Sequence, residues 1–512
     1  MSIKKKLSIK TLFGGIILNA IINVYNYLPS NLFYFFYSYL QYINDNCYSQ
    51  EKIELLLILS NVIYFVFIPI GILLNFYFNI TIITGISLLL KIVSLYLLIY
   101  SYTNKIFILY LITKSSCSGL SLLPILLELW KYFPNNKGLI IGIFYIGKGI
   151  IDILYEYISI KIINPKNIDI ITIVNIYPEE VIENYFNYLK FLMIILCICS
   201  SICQCLIYPY SIYINYFSFK KNKFKEKMNK GLLKDFYILS SKTSYRNTIG
   251  STNSSNDESL VKDKGNDDKN NNIEIKEPFI AYITSYPFLQ LSFIYFLIMS
   301  FNSIDLSSIK KLGLNYNHGE NFLLFSKIIW KFINIFWNIS VGYILDLFKF
   351  KKLLLILIIL QIFLISTYYL IINNKFGFII FSSFSSIINS TNNIMVPFSF
   401  GFIFGDEIGL LLYGISSILI NSFYFYRNYI LDIMSEKIYF FVLCLIYTLF
   451  HMIALITLCL FEEKKHIYKT ENENQEQIMF IDLSNGKELD FIDICDEKEF
   501  KKSNYQNKEK KL

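Results

Sequence analysis

The chain has 512 residues, of which 54% are hydrophobic, 18% aromatic and only 17% charged, with a formal net charge of +8 and a mean hydropathy of +0.46. That balance is too apolar for a water-soluble domain of ordinary proportions, so most of the chain has lipid as its solvent. The surplus charge is mostly lysine outside the apolar runs, with no folded aromatic platform interleaved, which argues against nucleic acid as a partner.

A helix needs about 20 apolar residues to cross a hydrocarbon core of roughly 30 Å. Such runs follow in chain order with centres near Ala20, Tyr64, Leu90, Cys117, Ile146, Ile198, Ile294, Ile333, Ile362, Asn389, Leu419 and Tyr447. Lipid cannot hydrogen-bond a bare backbone, and runs such as Leu353 to Ile372 lack the alternation of barrel strands, so helices are expected. The expected fold class is an all-α membrane protein of about twelve transmembrane helices in two six-helix halves. Its expected layout is a cytoplasmic N-terminus at 1–10, a first half at 11–217, a linker at 218–278, a second half at 279–461 and a tail at 462–512. The linker and tail are too polar to bury a core and read as disordered cytoplasmic segments.

Lys4, Lys5, Lys6 and Lys10 precede the first run and Lys220, Lys221, Lys223, Lys225, Lys227 and Lys230 follow the sixth. The positive-inside bias therefore places both termini in the cytoplasm, in a plasma or organelle membrane. Pro29 interrupts the first run, and Asn31 to Ile43 reads either as a kinked extension or as a separate segment. Lys161 to Asn187 leaves room for a short surface helix. Nine cysteines are scattered except for Cys197, Cys199, Cys203 and Cys205 on one run. On a single helix these point in different directions, so neither a metal nor a cofactor is expected.

Several runs carry polar stripes at helical spacing, and charge at membrane depth marks a pathway or a partner. Lys114, Ser118, Ser121 and Glu128 share one stripe, Lys148, Asp152 and Glu156 another, and Lys327, Lys331, Asn334 and Asn338 a third. Asn19, Asn23 and Asn26 lie on the first run, Ser386, Asn389 and Asn393 on the tenth, and Ser417, Asn421, Tyr424, Arg427 and Asn428 on the eleventh. The ninth and twelfth runs read as nearly all apolar, and Lys91 in the third breaks the pattern, reading as a snorkelling side chain or a register error. Chain-wide enrichment in Ile, Asn, Lys, Tyr and Phe lowers the chemical information carried by any single asparagine or aromatic.

The junction of the fourth and fifth runs reads Lys131-Tyr132-Phe133-Pro134-Asn135-Asn136-Lys137-Gly138-Leu139 and continues to Gly142, Gly147 and Gly149. Between the eighth and ninth runs stand Gly342, Asp346, Lys349, Lys351 and Lys352. Both resemble signatures of the major facilitator superfamily. The first is similar to the W-F-P-x-x-R-G-L-x-x-G-x(4)-G-x-G junction of its monocarboxylate-porter and oxalate/formate-antiporter branches, with Tyr132 for Trp and Lys137 for Arg. The second resembles the G-x-x-x-D-x-x-(basic) gate loop; in the first half Gly71 and Gly85 fit, but Asn75 takes the acidic place and Phe78 and Asn79 the basic ones.

The resemblance implies a secondary transporter working by alternating access, with Gly342, Asp346, Lys349, Pro134, Lys137 and Gly138 as gate motif. The surplus of cations in the stripes favours a small organic anion such as a monocarboxylate. The expected substrate contacts are Lys148, Lys331, Arg427, Asn334, Asn338, Asn23 and Asn389, with Asp152 or Glu156 carrying a coupling proton. Carriage of another solute class, such as an amino acid, sugar or drug, stays open, as does a multi-pass transferase using Asp45, Glu51 or Glu54, or a non-transporting scaffold or receptor. No G-x-x-x-x-G-K-[ST] segment occurs, so ATP-driven transport by this chain is not expected.

Overall fold

The computed structural model describes residues 3–27, 32–43, 49–166, 168, 176–212, 214, 279–300, 320–371, 374–422 and 437–463. The helices belong to one unit, Met1–Leu260 with Pro278–Lys465. The linker at 218–278, almost all of the tail at 462–512, Arg427 and Asn428 lie outside the described residues.

The first group of helices is α1 (Ile3–Tyr27), α2 (Phe33–Ile43), α3 (Gln50–Tyr77), α4 (Ile80–Ile99), α5 (Asn104–Tyr132), α6 (Lys137–Ile163) and α7 (Glu179–Leu206). The second is α8 (Phe279–Ile283), α9 (Tyr286–Met299), α10 (Glu320–Leu347), α11 (Phe350–Ile371), α12 (Lys375–Phe404), α13 (Asp406–Ile420) and α14 (Lys437–Leu460). Every run centre read from the sequence falls on one of these helices, and no β-strand forms among the described residues. Eight helices among the described residues are long and apolar enough to cross a bilayer by themselves. Many large apolar side chains face outward, Leu59, Leu89, Ile198, Phe336, Phe363 and Leu449 among them, as lipid contact requires.

Of the segment Asn31 to Ile43, Phe33–Ile43 forms the helix α2. Phe33–Ile43 packs on α7, with Tyr39 Oη donating to the Ile99 carbonyl at 2.8 Å and Phe35 stacked on Tyr177 at 4.4 Å. Most of the stretch between α6 and α7, where a surface helix was allowed for, lies outside the described residues. The caps follow simple chemistry. Ser49 and Thr103 accept the N–H of Lys52 and Ile106 at the starts of α3 and α5, offsetting donors left open by the first turn.

Within the first group α5 is the central helix, buried almost throughout from Tyr110 to Tyr132 and packed against α1, α3 and α4. Asn19 ties α1 to α6 by donating to the Phe144 carbonyl at 2.8 Å, and Asn23 donates back to Asn19. In the second group α12 has the same central place. It takes Tyr295 Oη of α9 on Ser399 at 2.9 Å and packs against α10, α11 and α13. Gln290 of α9 reaches the Thr457 carbonyl of α14 at 3.0 Å.

Candidate functional site

The two groups meet along two seams, α6 on α10 and α3 on α13. On the first, a Cβ added to Gly138 would overlap the Gly342 carbonyl oxygen, one added to Gly342 would overlap that of Gly138, and one added to Gly142 would overlap that of Asn338. These glycines let two helix backbones touch with no side chain between them, which favours dispersion contact where water supplies no drive. On the second seam a Cβ added to Gly414 would lie 3.0 Å from the Pro69 Cα, closer than ordinary contact.

At the end of the seams where α6 begins, the contacts become ionic. Asp346 of α10 accepts the N–H of Gly138 at 2.7 Å and of Leu139 at 2.8 Å. Its carboxylate thus covers the opened first turn of α6, where unpaired donors and the helix dipole favour an anion. Lys137 stands at that same positive helix end, yet its ammonium crosses to Asp406 of α13 at 2.5 Å and lies 5.7 Å from the Trp130 ring. Lys131 pairs with Glu407 at 3.2 Å. Asp406 and Glu407 occupy the first turn of α13, the favourable place for acids. Gly405 precedes them with φ +84°, a conformation that a side chain resists, and so turns the chain sharply from α12 into α13. Trp130, fully buried, fills the space a Cβ at Gly401 of α12 would take.

Of the gate motif, Lys137, Gly138, Gly342 and Asp346 therefore converge, while Pro134 sits on the turn between α5 and α6. Lys349 does not join them: it is exposed at the α10–α11 turn, where it and Lys351 oppose the rise that burial imposes on the Glu463 carboxyl. Lys351 also donates to the Cys459 and Phe461 carbonyls, closing the end of α14. In the first half Gly71 faces the Leu120 carbonyl of α5 and not the other half, so the spacing match there does not make a second seam like that of Gly342.

At mid-depth the second half holds a layer of amide and hydroxyl pairs between α10 and α12. Asn334 donates to Ser386 at 2.6 Å, Asn338 pairs with Ser390, and Trp337 Nε1 donates to Thr391 at 2.8 Å. Lys331 lies on this face of α10, buried, and Asn389 is half-buried on α12. Lys148 is half-buried on α6. Asp152 and Glu156 also fall on α6, at positions whose side chains lie outside the described residues, as does all of Arg427. Asn23 is held by Asn19.

Several residues were missed or misjudged by sequence reading. Trp130, Asp406 and Glu407 were passed over, although the acidic pair lies at the start of α13 as Lys137 lies at the start of α6. Lys91 neither snorkels nor marks a register error: it is buried at 1% exposure and donates to Ser118 at 3.0 Å. The nearly apolar ninth run also carries a fully buried Gln361 on α11.

No family model and no curated protein matches the sequence. Among solved structures, that of a D-xylose-proton symporter superposes with a TM-score of 0.52, covering 92% of this chain and 99% of the symporter, at 12% identity. At that identity the likeness speaks to the fold alone: the described residues share the all-helical membrane fold of that symporter.

Proposed function

We propose that this chain is a secondary active transporter that moves a small organic anion, such as a monocarboxylate, by alternating access with a proton as coupling ion. The observation that carries this reading is the way the halves join: glycine-lined backbone contact and cross-half ion pairs close one end. The two cross-half ion pairs are half-exposed, Lys131 with Glu407 and Lys137 with Asp406, and such pairs are individually weak and can be exchanged, which suits a surface that must part and reform in each cycle. Rocking of the halves exposes a midplane site to either side in turn, and a solute drives the switch by binding the two states unequally.

In this proposal Lys148 and Lys331 offer ammonium donors to the substrate carboxylate, joined by Arg427. Asn334, Asn338 and Asn389 supply amide contacts, and Asp152 or Glu156 takes the proton. Asn23 drops to a positioning role, since Asn19 already holds it.

A second reading is favoured by the amide and hydroxyl layer of α10 and α12, which suits a neutral polyol as well as an anion. The solved relative in fold is titled a D-xylose-proton symporter. One experiment separates the two. The full chain in proteoliposomes, given labelled monocarboxylates, sugars and amino acids in counterflow at two pH values, should exchange anions, faster at low pH. Lys148→Gln and Lys331→Gln should each lower that exchange at least tenfold while the protein still folds. Exchange of sugars alone, unchanged in both variants, would replace the anion reading with the polyol one.

A further inference from the structure

At the ionic end of the seams one large side chain crosses between the halves. Trp130 stands in the last turn of α5, one residue before Lys131, and is wholly buried although the ion pairs beside it are half-exposed. Its six-membered ring lies against α12 of the other half: a Cβ added to Gly401 would meet the ring's Cζ3 at 2.5 Å and its Cη2 at 2.7 Å. Gly401 is itself backed by α13, since a Cβ added to Gly409 would come within 2.7 Å of the Gly401 Cα and overlap the Phe400 carbonyl oxygen. Ring, Gly401 and Gly409 therefore stack without slack, and a contact packed to this density does not absorb an extra methyl without shifting.

Two further observations set the energetics of this contact. The Lys137 ammonium lies 5.7 Å from the indole ring while it pairs with Asp406, so one cation holds both the ring and the other half. The indole Nε1–H is buried with no hydrogen-bond partner among the described residues. Closing this end thus buries a large apolar ring, which is favourable, and strands one donor, which is not. That donor regains water as soon as the halves part, so the side chain that seals the end also limits how firmly it stays shut. The ion pairs cannot make the seal themselves, because half-exposed charges remain wetted.

We infer that Trp130 is the bolt of this end: seated on Gly401 it closes the path between the halves to water and ions, and it withdraws, its N–H hydrated, when they part. The inference rests on the proposed alternation of the two halves and is independent of which solute is carried. Trp130 is a positioning residue here, set apart from the amide and lysine contacts proposed for the substrate.

The test reads closure without reading flux, so a chain that moves none of the offered solutes still answers it. In the full chain without native cysteines, Lys131→Cys and Glu407→Cys are joined by a short bifunctional maleimide, and the rate of joining reports how often this end is closed. Gly401→Ala should lower that rate roughly tenfold, because the added methyl unseats the ring. Adding Trp130→Phe, whose smaller ring stops short of that methyl, should restore it to within about twofold of the parent. Separately, Trp330→Phe with Trp337→Phe leaves Trp130 as the one tryptophan of the three in the chain. Acrylamide should then quench its fluorescence poorly, and Gly342→Val, which wedges the seam at a distance from the ring, should raise the quenching several-fold. Unchanged joining in Gly401→Ala, a double variant as slow as Gly401→Ala alone, or equal quenching with and without Gly342→Val would each overturn the inference.

Discussion

The turn from α5 to α6 and the turn from α12 to α13 hold the same place in their halves, yet they carry opposite charge. One offers Lys131 and Lys137, the other Asp406 and Glu407. Had both kept the same residues, the two turns would meet with like charges, which costs as much as opposite charges gain. Their divergence makes the contact attractive, and the basic turn then needs help because its lysine lies at a positive helix end. Asp346, reaching from α10 to the N–H groups of Gly138 and Leu139, supplies it. The acidic turn needs no such partner, since Asp406 and Glu407 already suit the first turn of α13. That difference also explains why only the second half keeps an acid in its gate loop and the first half has Asn75 there.

The comparison breaks hardest at the glycines. Gly138→Val or Gly342→Val places branched carbons where each backbone meets the other, and overpacking of this kind costs about 1–3 kcal/mol or more. Flux in proteoliposomes should fall below detection, with the halves unable to close at this end. Flux at the level of the unaltered protein would mean the seam is not used.

Exchange of charge sharpens the comparison next. Lys137→Asp sets two acids opposite each other and should slow flux roughly tenfold, the equivalent of ~1.4 kcal/mol. Lys137→Asp combined with Asp406→Lys restores the attraction and should recover most of the rate. A double variant as slow as the single one would show that Lys137 acts through something other than Asp406.

Lys131→Gln should matter least. Its partner Glu407 is 51% exposed, and exposed pairs contribute about 0–1 kcal/mol. Less than a threefold change in flux is expected, and a larger one would move the weight of the contact from Lys137 to Lys131.

The helices were legible because bilayer thickness sets their length and lipid tolerates no unpaired backbone, so apolar runs alone place their centres. The turn at Pro134 and the pairing of Gly342 with Asp346 were legible as spacings. What each spacing touches was not. Gly71 has the distance to Asn75 that Gly342 has to Asp346, but helix rotation turns it towards α5. Asn19, Asn334 and Asn338 were legible as members of polar stripes, but that each joins two helices was not. Lys91 was illegible for a related reason: Ser118 is 27 residues away in sequence, and only packing of α4 on α5 brings it near.

The central claim is that the two oppositely charged turns part and reform during transport. The direct test joins Lys131→Cys to Glu407→Cys with a short bifunctional maleimide in a background without the native cysteines, and measures flux in proteoliposomes. The account predicts that flux vanishes in proportion to the cross-linked fraction and persists in either single-cysteine control. Undiminished flux in fully cross-linked protein would contradict it.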